Sequence, residues 1–175
     1  MKRFKGKVTL ITGGGKGIGF GLATAFAREG SNLVITGRNM ERLNSAKERL
    51  EKEWNVEVLP IVADGADEAA VKMVVGKAYE KFGRIDTLIN NAQASKSGLP
   101  LIEHSREDFD LAILSGIYGA FFYMRECFPY LKQTKGSVIN FASGAGLFGR
   151  PGQSSYAAAK EGIRGLSRVA ATEWG

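Results

Sequence analysis

The stretch Thr12-Gly13-Gly14-Gly15-Lys16-Gly17-Ile18-Gly19 constrains this chain more than any other. It follows a short apolar run, Val8-Thr9-Leu10-Ile11, and leads into Phe20-Gly21-Leu22-Ala23-Thr24-Ala25-Phe26-Ala27, whose apolar residues recur at helical spacing. The order is strand, glycine turn, helix. So much glycine in so short a run suits a backbone that turns with positive φ and lets another group approach closely. The start of the following helix exposes unpaired N–H groups and about half a positive charge, so the natural occupant is an anion such as a pyrophosphate. The flanking strand and helix separate this pattern from a surface turn of similar composition.

A chain of 175 residues, 44% of them hydrophobic, is the size of one compact domain. Lys and Arg total 24 against 18 Asp and Glu, a net charge of +6, but the basic residues are scattered. No basic stripe interleaved with aromatics emerges, so nucleic acid is not expected as a partner. Cys127 is the single cysteine, which rules out an internal disulfide and a C-x-x-C metal site; beside Met124, Phe128 and Tyr130 it reads as a small buried apolar residue, and no metal is expected. The basic start Met1-Lys2-Arg3-Phe4-Lys5-Gly6-Lys7 precedes an apolar run too short for a signal peptide. No apolar stretch reaches the roughly 18 residues of a membrane span, and the expected location is the cytoplasm.

After the first helix, Gly30 is a stop signal and Asn32–Thr36 a second strand. Asn39 caps a helix reaching about Glu53. Residues 56–62 form a third strand, which Pro60 places near a sheet edge because it cannot donate to the ladder. Asp67 caps a third helix ended by Gly83, and residues 85–90 form a fourth strand. A loop rich in Ser, Gly and Pro runs from Asn91 to Pro100. Ser105 with Asp108 starts one long helix to about Gln133, with Phe109, Ile113, Ile117, Ala120, Phe121 and Met124 as its apolar stripe. Residues 137–142 form a fifth strand, and a helix over about 155–174 ends the chain. Short continuous apolar strands alternating with helices predict a single α/β domain, a Rossmann-type, doubly wound parallel sheet covered on both faces. The fifth strand carries neither charge nor proline, unlike a guarded edge. The expectation is that residues 1–175 form a domain whose C-terminal strands are missing.

Tyr156 and Lys160, four apart on the last helix, share one face. An ammonium beside a phenol favours its ionised form, which suits a general acid or base. Ser143 follows the fifth strand at the carboxyl edge where open α/β sheets bind ligands, with a hydroxyl suited to a carbonyl oxygen. These features resemble the short-chain dehydrogenase/reductase family over essentially the whole chain. Thr12 to Gly19 is similar to its T-G-x-x-x-G-x-G, Asn90-Asn91-Ala92 to its N-N-A-G, and Ser143, Tyr156 and Lys160 to its serine and Y-x-x-x-K. The resemblance implies hydride transfer between a nicotinamide cofactor and a small-molecule carbonyl or secondary alcohol. Tyr156 would pass the proton, Ser143 hold the substrate oxygen, and Lys160 bind the nicotinamide ribose and tune Tyr156. It also implies cofactor contacts from Gly13, Gly15, Lys16, Gly17, Ile18, Gly19, Asn90 and Ala92. Asp64, similar to the family's adenine-contacting residue, either does this or begins a turn before Asp67.

Relatives that prefer NAD place a carboxylate after the second strand; this chain has Thr36-Gly37-Arg38. Arg38 would take a 2′-phosphate as a bidentate fork, and Lys16 is similar to a basic residue of NADP-preferring relatives, so NADP(H) is expected over NAD(H). The family also implies a dimer or tetramer through the helices near 105–133 and 155–174, where Phe121, Phe122 and Tyr123 stand in succession. Three departures stand out. Gly116 occupies the place of an asparagine that supports a water-mediated proton relay, and Gln93 replaces the glycine of N-N-A-G. The sixth strand, the lid and the seventh strand of full-length relatives are not in this sequence. They leave a second reading, a non-catalytic NADP(H)-binding or scaffold protein. His104, the only histidine, is expected at the surface.

Overall fold

A computed structural model describes residues 2–175. Five parallel strands form one sheet in the order β3-β2-β1-β4-β5: β1 is Val8–Thr12, β2 Asn32–Gly37, β3 Val58–Val62, β4 Thr87–Asn90 and β5 Ser137–Asn140. The chain winds outward through β2 and β3, then returns to start β4 on the opposite side of β1. The crevice where ligands bind therefore opens at the carboxyl ends of β1 and β4. Pro60 lies on β3 at one sheet edge, as its missing N–H required. At the other edge β5 pairs with β4 and leaves Ile139 40% exposed.

One face of the sheet packs on α1 (Gly17–Arg28) and α2 (Met40–Trp54), burying Ile11, Ala23, Leu33, Leu43 and Leu50. The other carries α3 (Glu68–Phe82) and α5 (Gly119–Thr134), burying Leu10, Val71, Val74, Tyr123 and Cys127. The caps are as expected from sequence. The Asn39 side chain accepts from Arg42 N at 2.8 Å, Asp67 accepts from Ala69 N and Ala70 N, and Gly83 closes α3 at φ +68°.

The expected single helix over 105–133 is instead three segments. Ser105 and Asp108 form a capping box, α4 runs from Arg106 to Ile113, a π-helical segment covers Leu114–Tyr118, and α5 follows. The Ser115 hydroxyl donates to the Leu111 carbonyl at 2.6 Å, a contact that loosens the helical ladder, and Gly116 in the middle is a poor helix former. One extra residue rotates everything after it by about 100°. The expected stripe is corrected in part: Ala120 and Met124 are buried with Phe122 and Tyr123, while Phe109 and Phe121 are exposed. A short helix, α6 (Gly144–Phe148), was not foreseen. The chain ends in α7, Ser154–Trp174. Among the described residues, no helix is long and apolar enough to cross a membrane.

Candidate active site

The turn after β1 enters α1 with Gly13 at φ +70° and Gly17 at φ +54°. A Cβ at Gly19 would overlap the Gly13 carbonyl oxygen and lie 2.7 Å from Asn91 Nδ2, so the helix start and the turn touch backbone to backbone. Lys16 caps α1 with extended backbone and no side-chain bond to the first-turn N–H groups, which are left for a ligand. Thr12, not singled out from sequence, ties this turn to the end of β4. Its Oγ1 accepts from Asn91 N at 3.0 Å and Ala92 N at 2.9 Å, while Asn91 Nδ2 donates to the Thr12 carbonyl at 2.9 Å.

Between these loops lies a cavity of about 910 Å³. Every residue expected to touch the dinucleotide apart from Tyr156 and Lys160 lines it: Gly13, Gly15, Lys16, Gly17, Ile18, Gly19, Arg38, Asp64, Asn90 and Ala92. Arg42, in the first turn of α2, joins them unforeseen; its spacing of four from Arg38 was the available signal. Lys16, Arg38 and Arg42 make no ion pair among the described residues, so the part of the cavity they line presents free positive charge. Asp64 does both things weighed for it: it lines the cavity and its carboxylate accepts from Ala66 N at 3.0 Å in the turn before Asp67. Asn90 lines the cavity while its amide nitrogen donates to Asn140 Oδ1 at 2.8 Å.

Ser143 and Tyr156 line a second, shallower cavity of about 620 Å³ with Arg150, Pro151 and Phe148, the last 82% exposed. Ser143 caps α6, its hydroxyl accepting from Ala145 N at 3.2 Å. Lys160 borders neither cavity as a lining residue. It is 4% exposed, donates to the Phe141 carbonyl at 2.7 Å, and stands with Nζ 5.6 Å from the Tyr156 ring centroid. Burial lowers its pKa from 10.5 to about 8. The depressed value means that the folded chain sheds this proton before the unfolded chain does. The cost of burying the charge is thus fully present below pH 8 and relieved between about 8 and 10.5. Urea unfolding at pH 7 and pH 10 should therefore show wild type gaining stability over Lys160→Met as pH rises; a pH-independent difference would show that Lys160 titrates normally.

Two further corrections concern the loop after β4. His104 is half-buried and both ring nitrogens are shielded and unpaired, so it is not a surface residue. Folding of the segment 101–103 into a 3-10 turn tucks it under. Gln93 and Gly116, separate departures in the sequence, meet in space: a Cβ on Gly116 would lie 3.1 Å from Gln93 Cδ and Nε2.

Residues 7–175 match the family described as short chain dehydrogenase. A 12alpha-hydroxysteroid dehydrogenase of Clostridium sp. is 63% identical over 100% of this chain and 70% of its own length. The 3-oxoacyl-[acyl-carrier-protein] reductase FabG of Thermotoga maritima is 38% identical over 98% of this chain and 69% of its own. Among solved structures, NAD+-bound xylitol dehydrogenase superposes with TM-score 0.94 at 31% identity, covering 99% of this chain and 66% of that one. An alcohol dehydrogenase from the archaeon Thermococcus sibiricus, complexed with 5-hydroxy-NADP, gives TM-score 0.92 at 30% identity over 96% of this chain and 71% of that one.

Proposed function

The chain belongs to the short-chain dehydrogenase family, and on that premise we propose that it is the cofactor-binding and catalytic part of an NADP(H)-dependent oxidoreductase interconverting a secondary alcohol and its ketone. The observation that carries this reading is the adjacency of a glycine-lined dinucleotide cavity with free cations to a second cavity holding Ser143 and Tyr156. The residues present fit the dinucleotide: Gly19 leaves room that a side chain would fill, and the open first turn of α1 suits a pyrophosphate. When bound, the nicotinamide supplies or takes the hydride. The Tyr156 hydroxyl gives a proton to the carbonyl oxygen in reduction and takes it back in oxidation. Ser143 Oγ donates to that oxygen and holds it, and Lys160, buried within reach of Tyr156, biases the phenol toward its ionised form.

The second cavity mixes the apolar Phe148 and Pro151 with the polar Ser95, Ser97, Arg150 and Gln153, and the proposal of a bulky secondary alcohol as substrate rests on the name of the 63% identical relative. Assembly is proposed through the exposed Tyr118, Phe121, Val169 and Trp174 of the two long helical arms, and the location is proposed as cytoplasmic. The cofactor choice rests on Arg38. Arg38→Glu is expected to weaken NADPH binding about 10- to 100-fold, the scale of hydrogen bonds to a charged group, and to spare NADH. Fluorescence titration with both cofactors reads this, and an unaltered NADPH-to-NADH ratio would overturn the assignment.

A further inference from the structure

The second cavity holds more than Ser143 and Tyr156. Besides α6 and the start of α7, two loops wall it: residues 95–97 after β4 and residues 149–153 between the two helices. A backbone hydrogen bond clasps these loops, Gly98 N donating to the Gly152 carbonyl at 2.7 Å. Glycine suits both sides of the clasp. Gly98 and Gly152 stand at φ +93° and +74°, and a Cβ on Gly152 would lie 3.2 Å from Gly98 Cα.

Arg150 is the single charged residue lining this cavity. Its backbone is fixed from both sides. Gly149 closes α6 at φ +67°, Arg150 N donates to the Ala145 carbonyl at 3.1 Å, and the ring of Pro151 restricts the residue before it to extended geometry. The guanidinium makes no ion pair among the described residues. Lys96, on the other loop, is the contrast: it pairs with Asp108 at 3.5 Å and does not line the cavity. The one cation that borders Ser143 and Tyr156 is thus the one left without a counter-charge.

We infer that Arg150 is a substrate-binding residue that reads a carboxylate: the alcohol or ketone held at Ser143 and Tyr156 carries a negatively charged group elsewhere on its frame. The planar guanidinium offers two parallel N–H groups to the two carboxylate oxygens, and Ser95 and Ser97 bring hydroxyl donors to the same cavity. One cation balances one negative charge, which favours a carboxylate over a phosphate dianion. Phe148, 82% exposed, gives the apolar frame a surface to lie on. The inference rests on the function proposed above, because Ser143 and Tyr156 define which end of the substrate reacts.

The test takes the full-length protein and secondary alcohols in matched pairs, α-hydroxyethylbenzoate and hydroxycyclohexanecarboxylate each beside its methyl ester. Wild type should prefer the acids. Arg150→Gln should lower the acid-to-ester ratio of kcat/KM about 5- to 30-fold, between the scale of an exposed ion pair and that of a hydrogen bond to a charged group. The loss should lie in KM for the acid, since a contact remote from the reacting carbon is the same in the ground and transition states. Arg150→Glu should lower the ratio further, and Arg150→Lys should recover part of it, because the charge returns without the fork. With no ion pair to lose, each variant should unfold at the wild-type urea midpoint. A ratio unaltered by Arg150→Gln would overturn the inference, as would a fall in NADPH affinity at constant ratio, which would make Arg150 a steering charge for the cofactor. Calorimetric titration of the same pairs into NADP+-loaded protein reads the anchor without turnover. Tighter binding of acid than ester, lost in Arg150→Gln, would support the anchor even where no alcohol is oxidised, a result that would count against the proposed function alone. Equal binding of acid and ester, or binding of neither, would overturn the anchor.

Discussion

Tyr156→Phe is expected to abolish most turnover, by about 10²- to 10⁴-fold, while leaving NADP(H) binding and thermal stability where they were. The physical basis for that separation is local. The Tyr156 hydroxyl opens on the second cavity and makes no hydrogen bond to the protein among the described residues, so its removal strands no buried partner. The ring remains, and with it the packing beside Lys160. The glycine turn, Lys16 and Arg38, proposed to hold the pyrophosphate and adenosine part of the cofactor, line the other cavity and are untouched. Steady-state rates with a panel of secondary alcohols, set beside a fluorescence titration with NADPH, measure the two effects separately. Full activity in the variant would show that another group passes the proton.

Gly19→Ala should have the opposite signature. A methyl at this position overlaps the Gly13 carbonyl oxygen and comes within 2.7 Å of Asn91 Nδ2, neither of which can yield freely. The Gly13 oxygen belongs to a turn held at φ +70°, and Asn91 Nδ2 is tied to the Thr12 carbonyl. The expected cost is about 1–3 kcal/mol of stability, read as a lower urea midpoint. Loss of dinucleotide binding accompanies it, because the displaced turn no longer aims its N–H groups at a pyrophosphate. Unchanged stability together with unchanged NADPH affinity would mean that the turn is slack.

Much of this was legible in the sequence because it is written in short-range chemistry. Glycine before a helix, Asn39 and Asp67 as caps and Pro60 at an edge all act within a few residues of themselves, and all sit where expected. Features that depend on a clash or a competition across the chain were not legible. The π-helical segment arises where the Ser115 hydroxyl reaches both the Leu111 carbonyl in its own helix and Ala94 N in a distant loop, at 2.6 and 2.9 Å. The apolar periodicity of Ile113, Ile117 and Phe121 shows no trace of it. For the same reason His104 was misplaced and the meeting of Gln93 with Gly116 went unseen. Asn90 lines the cavity as expected, but the bond from its amide to a partner fifty residues away could not be read from the sequence.

That partner has a consequence for alignment. Asn90 donates to Asn140 and Asn140 to Ser167 at 2.9 Å, so two short polar links join the last residue of β4 to β5 and then to the middle of the helix bearing Tyr156, where Ser167 also donates to the Ile163 carbonyl of its own helix at 2.7 Å. Sliding that helix along its axis by one residue, about 1.5 Å, would break the Asn140–Ser167 link. Hydride transfer and proton transfer must meet on neighbouring atoms of one substrate, and a misplacement of about 1 Å is enough to cost a hundredfold. On the proposed function, the two asparagines and the serine would serve as a length standard inside the molecule, fixing the spacing of its two cavities.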